Sequence, residues 1–261
     1  MDLGLQGKRA LVLGSSRGLG LAIARSLAAE GAAVTLCGRR REVLADAVAE
    51  LVAQGAEADY LVLDLADASQ RRTALEGLLA EGRGYDILIN NGGGPAPGAV
   101  SAVQTVQWQG AFDSMVSALL EITAALLPGM RERGWGRVIN VVSSGVVQPI
   151  AGLGISNTLR ASIIGWAKTL AGEVAAEGVT VNSVIPGRIA TARVGELDEA
   201  AAKRTGSTAQ AIAEASRNTI PVGRYGEPAE FADAVTFLAS ARAGYITGTS
   251  LRVDGGLIRS I

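Results

Sequence analysis

The 261-residue chain has no histidine and a single cysteine, Cys37. The first absence excludes Ser-His-Asp triads, Cys-His pairs and His-ligated metals. The second excludes an intrachain disulfide framework and a Cys-based zinc site, and the reading is that no metal is bound. Aromatic residues make up only 4%, four of them tyrosines. No run of 18 apolar residues occurs, so no spanning helix is expected. Met1 to Arg9 carries Asp2, Lys8 and Arg9 and lacks the long apolar stretch of a signal peptide, so a cytoplasmic protein is expected. The 24 basic and 25 acidic side chains nearly cancel, which argues against a nucleic-acid partner. With 48% apolar residues and a mean hydropathy of +0.28, the chain can build a large core and is not disordered.

What is abundant is glycine, 34 residues without a period, as expected of many tight turns. Short apolar runs alternate with longer helical segments. Strands are expected at Ala10–Leu13, Ala33–Cys37, Tyr60–Leu63, Ile87–Ile89, Val138–Val142, Val179–Ile185 and Ser250–Val253. Helices are expected at Leu19–Ala29 and Glu42–Ala53, with a third capped by Ser69 and running to Leu79. Such alternation means right-handed βαβ units, and near-continuous apolar strands mean a parallel sheet covered on both faces. The expected fold is therefore a single α/β domain over 1–261, a Rossmann-type three-layer fold with a seven-stranded parallel sheet. Two later helices carry single apolar stripes: Trp108, Phe112, Met115, Leu119, Ile122 and Leu126, then Ile155, Leu159, Ile163, Trp166, Leu170 and Val174. Core packing or a subunit interface explains both.

Between the first strand and first helix stands Gly14-Ser15-Ser16-Arg17-Gly18-Leu19-Gly20. Glycines there let backbone N–H groups approach a phosphate at a helix N-terminus, which points to a dinucleotide. The second strand ends in Gly38-Arg39-Arg40-Arg41, with no acid before Glu42. An acid would bind the ribose 2′-hydroxyl of NAD(H), whereas Arg39, helped by Arg40 and Arg17, can hold a 2′-phosphate. NADP(H) is therefore expected over NAD(H).

These residues resemble the short-chain dehydrogenase/reductase family, and in particular its 3-oxoacyl-carrier-protein reductase branch, over essentially the whole chain. Leu13-Gly14 to Gly20 is similar to the T-G-x-x-x-G-x-G loop, with Leu13 in place of Thr. Asp64, followed by Leu65, matches the adenine contact. Asn90-Asn91-Gly92-Gly93 resembles N-N-A-G, Pro186-Gly187 with Thr191 the loop beside the nicotinamide, and Val253 to Gly256 the last strand and turn.

The family's catalytic set is Asn, Ser, Tyr and Lys. By register, Ser143 takes the Ser position, with Ser144 adjacent and able to substitute. Ser156 stands where Tyr is expected, Arg160 where Lys is expected, and Met115 at the Asn position. Lys168 lies two turns beyond Arg160, and none of Tyr60, Tyr85, Tyr225 or Tyr245 falls at the Tyr position. A serine hydroxyl is a far weaker acid than a phenol, and an arginine does not shuttle protons. Two readings follow. One is an NADP(H)-dependent oxidoreductase of carbonyl or alcohol substrates, with Ser143 polarising the carbonyl and water held by Arg160 supplying the proton. The other is a nucleotide-binding sensor or partner subunit without efficient turnover.

The segment at about 191–220 resembles the family's substrate lid, two short helices interrupted at Gly206-Ser207, and its lack of large apolar residues suggests mobility. Gly92 to Gly98 forms the opposite wall. The resemblance also implies a homo-dimer or homo-tetramer, packed through the two striped helices, with a second interface at the apolar end Gly255 to Ile261.

Overall fold

Seven apolar runs form β1 (Arg9–Val12), β2 (Ala33–Gly38), β3 (Ala58–Val62), β4 (Ile87–Asn90), β5 (Gly136–Val141), β6 (Val179–Pro186) and β7 (Ser250–Val253) in the computed structural model. It describes residues 1–80, 82 and 84–260. Ile261, the last residue of the expected apolar interface, lies outside the described residues. All seven strands are parallel, in the order β3-β2-β1-β4-β5-β6-β7. Val12 faces Leu36 on one side and Ile89 on the other. The chain thus reverses its direction of winding at β1, and a crevice opens beyond the carboxyl ends of β1 and β4.

The connecting helices are α1 (Gly18–Ala29), α2 (Arg41–Ala53), α3 (Ala68–Ala80), α4 (Thr105–Phe112), α5 (Ala118–Glu132), α6 (Gly154–Val174), α7 (Ala192–Thr205), α8 (Ala209–Thr219) and α9 (Pro228–Ala239). Strand side chains alternate between two cores. Ala10 and Val12 meet Ile23, Leu27, Leu44 and Phe231 of α1, α2 and α9. Leu11 and Leu88 meet Leu119, Ile122, Leu159 and Ile163 of α5 and α6. Burying each large aliphatic side chain contributes about 1.5–3 kcal/mol. A polar line crosses the sheet where the site begins. Asn90 Nδ2 donates to Thr123 Oγ1 and Asn140 Oδ1, both at 3.0 Å, and Asn140 Nδ2 donates to the carbonyl of Asn182.

Three expectations change. Asp67, not Ser69, caps α3, its Oδ1 accepting the N–H groups of Ser69 and Gln70. A π-helical turn, Asp113–Ser117, joins α4 to α5. Its extra residue shifts the phase of the stripe, so Met115 is buried while Phe112 is 46% exposed. On α6 the innermost line is Ser156, Leu159, Ile163, Ala167, Ala171 and Val174. Small alanines let the helix approach the sheet, which leaves Ile155, Trp166 and Leu170 only half-buried. The rod Thr105–Glu132 is long and apolar enough by composition to cross a membrane, with a mean hydropathy of 1.4. Its apolarity is accounted for by Leu119, Ile122, Leu126 and Met130, which lie in the core.

The start of α9 carries a pH-sensitive tie. Both terminal nitrogens of Arg224 donate to Glu230 at 2.7 Å, and Glu230 also accepts the Glu227 N–H. Arg224, with that N–H, holds the carboxyl down from its ordinary 4.5 to about 2. A depressed carboxyl stabilises the fold fully above its unfolded value and loses that contribution as pH falls towards the folded one. Glu230→Gln should therefore lower the melting temperature at about pH 7, with the gap to wild type closing between about pH 4.5 and 2. A gap that stays constant through that window contradicts the assignment.

Candidate functional site

A cavity of about 580 Å³ occupies the crevice beyond the strand ends. Its floor is set by a close approach of β1 and β4. A Cβ on Gly14 would lie 2.7 Å from the Asn91 carbonyl oxygen, and one on Gly20 would lie 2.4 Å from that of Gly14. Gly14 and Gly18 also take positive φ, +58° and +60°, where a side chain would be strained. Asn91 Nδ2 staples the loop by donating to the carbonyls of Leu13 and Gly14 at 3.1 Å. Ser15, which sequence reasoning passed over, does the same from below, donating to Val12 and accepting from the Cys37 N–H. Burial pushes the Cys37 thiol up to about 12, so it is inert. No side chain caps the first turn of α1, so its N–H groups face the cavity mouth.

The structure gathers Gly14, Arg17, Gly18, Leu19, Arg39, Asn91, Gly92, Gly93, Pro186 and Gly187 on the cavity wall, together with Ser143, Ser156 and Arg160. It does not bring Ser16, Gly20, Arg40, Asp64 or Leu65 to that wall. Gly20 and Ser16 support it from behind, Ser16 lying against Gly38. The Asp64 carboxylate accepts the Ala66 N–H, and the Leu65 side chain approaches Gly92.

At the inner end Ser143 and Ser144 both line the cavity. Ser143 Oγ accepts the Gly145 N–H at 3.1 Å and keeps its own proton available. Ser156, 7% exposed, presents a hydroxyl that has no hydrogen-bond partner among the described residues. Arg160 is held in place by backbone carbonyls. Nη1 donates to Val141 at 2.9 Å, and Nη2 donates to Gly92 and Gly93 at 3.1 and 3.3 Å. Burial, then the charge of Arg193, lowers its pKa to about 10, so it remains cationic at neutral pH. Among the described residues none of the four tyrosines lines the cavity, and Lys168 reaches the Gly248 carbonyl instead. Nor do the described residues contain a cluster of three His, Cys, Asp or Glu side chains that could hold a metal.

Sequence reasoning missed two further elements. Asn157 clamps the loop after β5 with paired bonds to the backbone of Ile150. Asp198 is buried on α7 and accepts from Arg188 at 3.0 Å and from the Tyr225 hydroxyl at 2.9 Å. That pair of bonds ties α7 to the Arg188 and Tyr225 loops, although the helix carries few large apolar residues. The only available signal was a lone acid on the inner face of an amphipathic helix.

The matched family model, described as enoyl-(acyl carrier protein) reductase, covers residues 14–258. The 3-oxoacyl-(acyl-carrier-protein) reductase FabG of Vibrio cholerae is 37% identical over 264 residues, 98% of this chain and 99% of that protein. The L-sorbose reductase of Gluconobacter frateurii, solved with NADPH and L-sorbose, superposes with a TM-score of 0.93 at 32% identity, covering 100% of both chains. A gluconate 5-dehydrogenase of Burkholderia cenocepacia, solved with NADP and tartrate, gives a TM-score of 0.88 at 30% identity, covering 100% of this chain and 98% of that one.

Removing the Asp198 carboxylate should strand Arg188 and Tyr225 without their acceptor. Asp198→Ala is expected to cost about 1–3 kcal/mol in denaturant unfolding and to speed proteolysis within residues 192–219. A change below about 0.5 kcal/mol, with unaltered cleavage, would show that α7 is held by other means.

Proposed function

The chain belongs to the short-chain dehydrogenase/reductase family, and from that membership we propose that it is an NADP(H)-dependent oxidoreductase of carbonyl or alcohol substrates with non-standard proton delivery. The observation that carries this reading is one continuous cavity, with uncapped helix N–H groups and Arg17 and Arg39 at one end and hydroxyls at the other.

The residues fit the cofactor. Gly14, Gly18 and Gly20 leave the room that a Cβ would fill, and Asn91 fixes the loop. Arg39 has no carboxylate within 4 Å among the described residues, so its guanidinium is available to a 2′-phosphate. Solved relatives that share the fold hold NADPH or NADP. When bound, NADPH supplies a hydride to a carbonyl carbon, and with one proton from solvent gives the alcohol and NADP+.

The chain's own residues orient the partners and stabilise charge. The hydroxyls of Ser143 and Ser156 donate to the carbonyl oxygen as it gains negative charge. Arg160 ties the Gly92 loop to the end of β5 at Val141 and supplies fixed positive charge. It does not give up a proton; water held by Arg160 does. Helices α7 and α8 form the substrate lid, at about 191–220, over a single domain spanning 1–261. Exposed Val106 (71%) and Phe112 (46%) on α4 support assembly into a homo-dimer or homo-tetramer through that helix.

A titration with NADPH and NADH, followed by NADPH consumption against ketoses, 2-oxo acids and 3-oxoacyl thioesters, tests the reading. NADPH should bind more tightly, Arg39→Glu should weaken it by about tenfold or more while leaving NADH nearly unchanged, and at least one carbonyl should be reduced. Tight NADPH binding without turnover on the whole panel would favour a nucleotide-binding sensor or partner subunit. Tighter NADH binding would overturn the cofactor assignment.

A further inference from the structure

One face of α7 overhangs the cavity, and Arg193, Leu197, Ala200, Ala201 and Arg204 lie along it at helical spacing. The face therefore has a guanidinium at each end and small or medium apolar groups between. The whole cavity wall is unbalanced in charge, with Arg17, Arg39, Arg160, Arg188, Arg193 and Arg204 against Glu196 alone. Most of that excess is committed elsewhere. Arg188 is paired with Asp198, Arg17 and Arg193 share Glu196, and Arg193 also donates to the Pro95 carbonyl. Arg39 stands at the nucleotide end, and Arg160 is bonded to three carbonyls.

Arg204 is different. Among the described residues it has neither a carboxylate within 4 Å nor a hydrogen-bond partner. Its guanidinium lies against Gly152 in the loop between β5 and α6, where a Cβ would come within 2.9 Å of Nη1. Ala151 of that loop lines the cavity beside the serines. Gly152 thus leaves the space that lets the cation reach the substrate end. Arg160 and Arg193, which repel one another, line the same cavity, so its wall favours an anion.

We propose that the substrate end of the cavity takes a small carbonyl or hydroxy compound bearing an anionic head, a carboxylate or a phosphate, bound by Arg204. The proposal rests on the oxidoreductase reading of the same cavity. Leu197, Ala200 and Ala201 shape a short chamber suited to a compact polar molecule. A guanidinium suits either head, since its planar fork matches two oxygens of carboxylate or phosphate.

Calorimetric titration of the protein saturated with NADP+, using L-tartrate, glycerol phosphate and uncharged erythritol as probes, tests this. The anions should bind and erythritol should bind at least about tenfold more weakly, with Arg204→Gln removing most of the difference. The stronger of the two anions identifies the head. Arg204→Glu reverses the charge on the same exposed side chain and should abolish anion binding, while both variants keep NADP+ affinity within about twofold. Equal binding of tartrate and erythritol, or tartrate binding unchanged in both variants, overturns the proposal. If NADP+ itself fails to bind, the oxidoreductase reading falls. Anion titrations of the nucleotide-free protein then still decide the role of Arg204.

Discussion

The site depends on a half-buried guanidinium tied to main-chain carbonyls. Arg160 reaches from α6 across the ends of β4 and β5 and bonds to Val141, Gly92 and Gly93. Those three carbonyls belong to the end of β5 and to the loop after β4, so one side chain sets the spacing between them. Its cost is desolvation, which lowers its pKa to about 10, yet it stays charged under ordinary conditions. A cation fixed in this way gives an electrostatic field and a rigid frame, and it leaves the transfer of protons to other groups. With Ser156 beside it and no imidazole in the chain, the protein residues here can donate hydrogen bonds but are poor proton donors at neutral pH.

The rest of the architecture delivers this frame. The reversal of strand order at β1 opens the crevice, and the contact of Gly14 with Asn91 narrows it to a bed for phosphate oxygens. The line Asn90, Asn140 and Asn182 keeps β4, β5 and β6 in register just below Arg160. On the other side, Asp198 draws α7 down so that its arginines face the cavity. The local rules and the site thus agree: each tight glycine or buried polar bond near the strand ends serves the same concavity.

The sheet was legible in the sequence because parallel strands are apolar on both faces, and all seven runs became strands with ends shifted by no more than two residues. The glycine loop and the arginines after β2 were legible because their chemistry is local. What escaped depended on contacts distant in sequence. The buried Asp198 finds Arg188 and Tyr225 through a turn of chain that no periodicity encodes. The π-helical turn at Asp113–Ser117 shifted a stripe that a strict helical period would have kept in phase. On α6, alanines rather than the larger Trp166 and Leu170 face inward, because close approach to the sheet favours small residues. The positions of Ser156 and Arg160 came from register, whereas the anchoring of the guanidinium on three carbonyls could only be seen in three dimensions.

Reduction here uses no protein group that titrates near neutrality: the described cavity wall contains arginines, one glutamate and serines, but no His, Cys, Lys or Tyr. The most direct measurement is kcat/KM for NADPH-dependent reduction of a neutral ketone between about pH 6 and 9. The rate should be independent of pH across that range. A bell-shaped profile, or a tenfold change per pH unit within it, would reveal a protein acid and contradict the claim.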